Sequence, residues 1–225
     1  MNFTARPPSM STRDNVYQTL RDQILLFELP PGASISEKEI SQRFNVSRTP
    51  VRESFVRLAQ EGLLEVYPQR GTFVSLIDLE LVEEARFMRE QLERAVIRLA
   101  CAGFPDERLA ELGSNLSLQK ACIENQDYRT MFELDEAFHR TIFEGCRKNN
   151  TWAVIGQINV HLNRSRMLRL AADHHWDHLY EQHFQMAEAI RNKDEERAER
   201  LMKDHLSLTI ADQALLKEKF PTYFK

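Results

Sequence analysis

The stretch SEKEISQRFNVSRTPVRESFVRLAQEG, residues 36–62, constrains the fold of this chain more than any other. Ser36 followed by Glu39 is a capping-box pair, in which a hydroxyl and a returning carboxylate satisfy the first free amides of a helix, and Ile40 with Phe44 supplies one apolar face. Asn45 suits a corner, because its short amide tolerates the left-handed backbone of a tight turn. Ser47 is placed to cap a second helix. Pro50 fits that helix's first turn, where its missing amide hydrogen is not needed, and Val51, Phe55, Leu58 and Ala59 form an inward stripe that Gly62 ends. Ser47, Arg48, Thr49 and Arg52 are left clustered at the amino end of that helix. There the positive end of the helix dipole adds to guanidinium forks able to pair with guanine edges or phosphates. Two arginines alone suit a solvated helix equally well, so the flanking segments decide.

Beyond Gly62, LLEVYPQRGTFVS alternates Leu64 and Val66 with Thr72 and Val74 around a Pro68–Gly71 turn, which predicts a hairpin with Arg70 at its tip. Ahead of the helix pair, Val16, Leu20, Ile24 and Phe27 recur at helical spacing until Pro30-Pro31-Gly32. Helix, helix, turn, helix and hairpin make a winged helix-turn-helix. Over roughly the first third of the chain, LPPGASISEKEISQRFNVSRTPVRES resembles the DNA-binding signature of the GntR family of bacterial transcription regulators, with S-R-T-P-V-R-E its most specific part. The resemblance implies that Lys38, Arg48, Thr49 and Arg52 contact operator DNA and that Gly71 lies where the wing meets the minor groove. Asn45 replaces a common glycine and Ser54-Phe55 a common Ala-Leu; both departures concern packing, not contact with DNA.

A chain of 225 residues has room for one large domain or two modest ones, and its composition changes along its length. All seven histidines lie beyond residue 138, and residues 1–75 hold nine Lys or Arg against eight Asp or Glu, so the excess of negative charge lies in the remainder. That balance disfavours nucleic acid unless positive charge is focused on a small surface, as Arg48, Arg52 and Arg70 allow. Cys101, Cys122 and Cys146 are widely spaced and odd in number, as reduced buried thiols in a cytoplasmic protein are. Residues 1–10 lack the apolar core of a signal peptide, and no later run approaches the ~20 apolar residues of a membrane span. Residues 1–10 are expected to be a flexible arm, with Arg6 as a minor DNA contact, and residues 11–76 the winged domain.

From Asp78 the pattern is helical. It predicts six helices near 78–101, 105–124, 127–147, 150–170, 175–192 and 195–217, an antiparallel bundle over residues 78–220 in a mainly α protein. Met131, Asp135, Phe138 and Ile142 share one face, with His139 one turn from Asp135; His183 shares a face with Ala187 and Ile190, and His205 with Ala198, Leu201 and Leu208. A buried carboxylate ringed by imidazoles is well placed to be neutralised by a divalent cation, zinc first, with nickel or manganese as alternatives. Asp173, His174, His175, Asp177 and His178 form a competing cluster that reads as solvated surface. Asp135-Glu136-Ala137-Phe138-His139, Glu181-Gln182-His183 and Lys203-Asp204-His205-Leu206 resemble the metal-site motifs of the FCD effector domain of FadR-like GntR regulators, in its shorter VanR-like form. The resemblance places Asp135, His139, His183 and His205 on that family's ligand positions.

Arg89 falls on the apolar stripe of Val82, Ala85, Leu92, Val96 and Leu99 and needs an anion. Two partners are open: Glu93 one turn on, or the carboxylate of a small organic acid, which the likeness of R-E-Q-L-E to the family's R-x-x-L-E motif favours. His161, on a face with Val154, Ile158 and Ser165, is either a second pocket residue or packed core. The expected protein is a homodimeric regulator that reads a palindromic operator and responds to a small carboxylate beside the metal. A metal-dependent enzyme, or a regulator whose ion is structural or is itself the signal, is the alternative.

Overall fold

The computed structural model describes residues 11–172 and 176–225, and divides into two compact units, one ending at Leu76 and one starting at Ile77. The expected arm, with Arg6, and the Asp173, His174 and His175 part of the polar cluster lie outside the described residues.

In the first unit α1 (Thr12–Leu25), α2 (Glu37–Phe44) and α3 (Arg48–Gln60) pack around Leu20, Ile24, Val51 and Leu58, each fully buried. Ser36 begins α2 as expected, its Oγ accepting from the Glu39 amide at 3.2 Å, while the Glu39 carboxylate turns to the Ser36 hydroxyl at 2.9 Å and not to the backbone. Asn45 takes the left-handed conformation, φ 51°, that the corner requires. Ser47 stands at the N-cap of α3 with extended backbone, but its side chain makes no capping hydrogen bond, which corrects its expected role as the side-chain cap. The burden is lighter because Pro50, in the first turn, has no amide hydrogen to satisfy. Ser54 is buried and donates to the Pro50 carbonyl at 2.8 Å, with the Arg13 carbonyl of α1 at 3.3 Å, so the serine that departs from the family pattern is satisfied where α1 meets α3. The wing is β2 (Leu64–Tyr67) and β3 (Gly71–Val74), with β1 (Ser34–Ile35) on its other side in the order β1-β3-β2, all antiparallel.

Among the described residues the regular structure of the second unit is helical apart from one parallel bridge between Ile77 and Phe224. Its helices are α4 (Leu79–Ala102), α5 (Asp106–Asn125), α6 (Tyr128–Gly145), α7 (Asn149–Ile158), α8 (Val160–Ala172), α9 (Asp177–Arg191) and α10 (Glu195–Lys219). The helix expected over 150–170 is thus two, broken at Asn159, so the bundle has seven helical segments among the described residues where six were expected. Gly156 and Asn159 are poor helix formers, which weakens the stretch where the break falls. Asp78 and Asp127 cap α4 and α6 through side-chain bonds to Glu80 and Thr130 amides at 3.0 and 3.1 Å. The core runs through Ile97, Leu112, Phe138, Ile142, Phe143, Ile155 and Met186, and each large apolar side chain buried there contributes on the order of 1.5–3 kcal/mol. This core fixes the relative rotation of α6 and α9, and with it the direction of their inward polar residues.

Candidate metal centre and DNA-reading face

Asp135 and His139 project from α6, His183 from α9 and His205 from α10, and all four are buried. One donor atom from each lies within 4.8 Å of the others. His139 Nε2 and His205 Nε2 are 3.2 Å apart, while His183 Nε2 is 3.6 Å and His205 Nε2 3.9 Å from Asp135 Oδ1.

The opposite ring nitrogens decide what this cluster can do. His183 Nδ1 is 2.9 Å from Gln119 Oε1, and the Gln119 amide nitrogen is committed to Asn115 Oδ1 at 2.7 Å, so an oxygen faces the ring. His205 Nδ1 is 3.0 Å from Gln182 Oε1, and His139 Nδ1 faces the Glu93 carboxylate. An oxygen acceptor at each Nδ1 places the proton there and leaves three Nε2 lone pairs aimed at one point. Two acceptors 3.2 Å apart cannot hydrogen bond to each other, and the buried His183 Nε2 has no hydrogen-bond partner among the described residues. Such convergent nitrogens beside a carboxylate fit a divalent cation with nitrogen and oxygen ligands.

The electrostatics keep the donors ready. Burial, opposed in part by Asp135, pushes His183 down to about 3, and burial with the neighbouring His183 and His139 holds His205 well below the usual imidazole range. Burial alone would raise the Asp135 carboxyl, but the charge of the Arg166 guanidinium foremost outweighs it and holds it well below the usual carboxylate range. Neutral imidazoles and an ionised carboxylate are the forms that ligate a metal.

Beside the cluster lies a cavity offering about 70 Å³ to the centres of water-sized molecules. Leu162, Leu170, Trp176 and Leu216 supply apolar wall, while Arg86, Arg89, Arg166 and Arg169 bring positive charge to it. Arg89 is fully buried: its Nε pairs with Glu93, its Nη1 lies 3.3 Å from Glu136 Oε1, and its Nη2 has no hydrogen-bond partner among the described residues. Glu93 therefore ties Arg89 to His139; burial would raise its carboxyl, yet Arg89 and His139 bring it down to about 2. The sequence reading missed Arg166, which pairs with Asp135 and reaches Glu136 Oε1 at 2.5 Å. Its signal was the one used for Arg89, a cation on a stripe, since Leu162, Arg166, Arg169 and Leu170 recur at helical spacing. His161 does not line the cavity; its Nδ1 accepts from the Asp78 amide at 3.1 Å. His178, from the stretch expected to be plain surface, does line it.

In the first unit Lys38, Ser47, Arg48, Thr49, Arg52 and Arg70 are all exposed. Arg52 Nε lies 3.5 Å from Glu37 Oε1 yet its side chain stays 77% exposed, and Arg70 stacks over Tyr67 at 5.7 Å from the ring centroid. Gly71 has φ 111°, a conformation that glycine adopts without strain, at the start of β3.

Residues 12–74 match the model of "Bacterial regulatory proteins, gntR family" and residues 84–208 that of the FCD domain. The chain is 34% identical over 199 residues to the HTH-type transcriptional repressor RspR of Escherichia coli (strain K12), covering 88% of this chain and 87% of that protein. It is also 34% identical over 220 residues to an uncharacterized HTH-type transcriptional regulator of Streptomyces ambofaciens, covering 98% and 92%. Among solved structures E. coli McbR/YncC superposes with a TM-score of 0.78 at 23% identity, covering 94% of this chain and 100% of that one, a likeness of fold. The chain therefore belongs to the GntR family of bacterial regulatory proteins, a DNA-binding transcription regulator and not an enzyme, with an FCD domain behind its winged helix-turn-helix.

Proposed function

We propose that the protein is a homodimeric regulator of the cytoplasm whose affinity for a palindromic operator is set by a small organic acid bound beside a divalent metal in the FCD domain. The observation that carries this reading is the convergence of three Nε2 lone pairs and Asp135 on one point next to a cavity that Arg89 enters. Asp135, His139, His183 and His205 would hold the ion, zinc first among zinc, nickel and manganese; when bound it supplies a positive centre with coordination positions open to carboxylate oxygens.

Arg89 receives a carboxylate of the acid, its planar fork suited to two parallel hydrogen bonds, and the unpartnered Nη2 is available for one of them. Arg166 adds a second cation to the same wall. Leu162, Leu170 and Leu216 exclude water, which strengthens each of these polar contacts. His161 contributes from the neighbouring turn of α8, holding the Asp78 amide at the start of the unit. A ligand gripped by α4, α6, α8 and α10 together prefers the arrangement of those helices that fits it, and regulation follows if operator affinity differs between the two arrangements.

DNA contact is assigned to Lys38, Ser47, Arg48, Thr49, Arg52, Arg70 and Gly71. The test has two arms. Arg48→Ala or Arg52→Ala should lower affinity for an operator obtained by in vitro selection by about 1–3 kcal/mol each while the melting temperature stays put; unchanged sequence-specific binding removes the recognition-helix assignment. A thermal-shift screen of zinc-loaded protein against mono-, di- and hydroxycarboxylic acids should give a hit that Arg89→Met abolishes and that changes operator affinity. Saturating binding of every hit with no change in operator affinity removes the proposed regulation.

A further inference from the structure

Two kinds of wall enclose the cavity beside the metal donors. Arg89, Asp135, Arg166 and His205 belong to one, and Leu162, Leu170, Trp176, Leu206 and Leu216, none more than 7% exposed, belong to the other. Leu162 and Leu170 stand one turn either side of Arg166 on α8, and Leu216 lies three turns beyond His205 on the same face of α10. Each of these helices thus brings a polar group and apolar wall to the cavity together. His178 is exposed and marks the open mouth.

The positive charge in the wall is already matched. Arg86 gives Nε and Nη2 to Glu83 and Nη1 to Glu90, Arg166 gives Nη2 to Asp135 and Nη1 to Glu136, and Arg89 gives Nε to Glu93 and Nη1 to Glu136. Three guanidiniums therefore meet five carboxylates, and Arg169 is not free either. Arg89 Nη2 is left as a donor with no hydrogen-bond partner among the described residues. One carboxylate of a ligand can be met there, beside the metal donors. A second carboxylate, or a hydroxyl at the far end of the molecule, would be buried against leucine without a partner, which is costly. Size narrows the ligand further. The cavity offers about 70 Å³ to the centres of water-sized molecules, and at roughly 10–15 Å³ for each such group it holds about five to seven non-hydrogen atoms.

We propose that the acid is an aliphatic monocarboxylate of about three to five carbons, with its carboxylate at Arg89 and its tail against Leu162, Leu170 and Leu216. The class rests on the effector site proposed above and narrows it: the apolar wall rejects dicarboxylates and acids that carry a hydroxyl at the far end.

Calorimetric titration of the zinc-loaded full chain with acids matched in length tests the class. Butyrate and isovalerate should bind, while succinate and 3-hydroxybutyrate, as long as butyrate, should bind at least about tenfold more weakly. Leu216→Ala should move the preference towards a longer acid, hexanoate gaining at least about tenfold relative to butyrate. An unchanged preference in the folded variant overturns the placement of the tail, and the matched acids on the unaltered chain decide the matter if the variant fails to fold. Succinate or 3-hydroxybutyrate binding as tightly as butyrate, or binding only by other acids of the wider screen, overturns the class and leaves the effector site standing. No binding by any acid of that screen overturns the site together with the class.

Discussion

At His183 the outcome depends on which ring nitrogen keeps its proton. Gln119 Oε1 at 2.9 Å from Nδ1 keeps it there, and Nε2 faces inward as a lone pair. If the cluster holds zinc as proposed, Gln119→Leu, which removes that acceptor and leaves Asp135, His139, His183 and His205 in place, should lower zinc affinity measured against a competing chelator by about 10–100-fold with the fold retained. Acid should act on the same atoms. In metal-free protein the folded His183 is pushed down to about 3 from an ordinary 6.5, so its contribution to stability is complete above pH 6.5 and is lost as the pH falls from there towards 3. Asp135, also depressed, adds a loss of the same sign at lower pH. The midpoint of urea unfolding of metal-free protein should therefore fall between pH 6.5 and 4, less steeply in His183→Gln. Arg166 went unread at the residue scale although its spacing carries the signal of an inward cation, and only the packing of α8 on α6 sets it against Asp135.

Single elements carry the precision of the site. Helix α6 supplies Asp135 and His139, and its last residue, Gly145, leaves room for the Phe104 ring; a Cβ there would lie 2.1 Å from a ring carbon. Gly145→Ala should destabilise the FCD domain by about 1–3 kcal/mol, read as a lower melting temperature, because Phe104 is packed against the core and has to give way. The corner of the helix-turn-helix was legible because each device in it is local: the Ser36 cap, left-handed Asn45, Pro50 in the first turn. The interruption at Asn159 was not, since the apolar period of 150–170 continues through it and only the docking of α7 and α8 as separate pieces reveals the break.

In the whole molecule, the FCD unit and the winged unit have separate cores. If the four ligands hold an ion, removing it with a chelator should lower the unfolding transition of the FCD unit and leave that of the winged unit in place, which calorimetry resolves. A single transition that chelation does not move would remove the metal from the account. The segment where the second unit begins is held from two sides: Ile77 donates to the Tyr223 carbonyl at 2.8 Å and accepts from the Lys225 amide at 3.0 Å, while His161 takes the Asp78 amide. By itself the sequence determined what depends on neighbours along the chain: the caps, the wing turn, and the 3.6-residue period that turned Arg89, Asp135, His139, His183 and His205 towards the interior. Only the tertiary structure decided what those side chains meet there. The acceptors at each Nδ1, the cation against Asp135 and the bond between His161 and Asp78 join helices distant in sequence, and no local pattern encodes the register in which such helices pack.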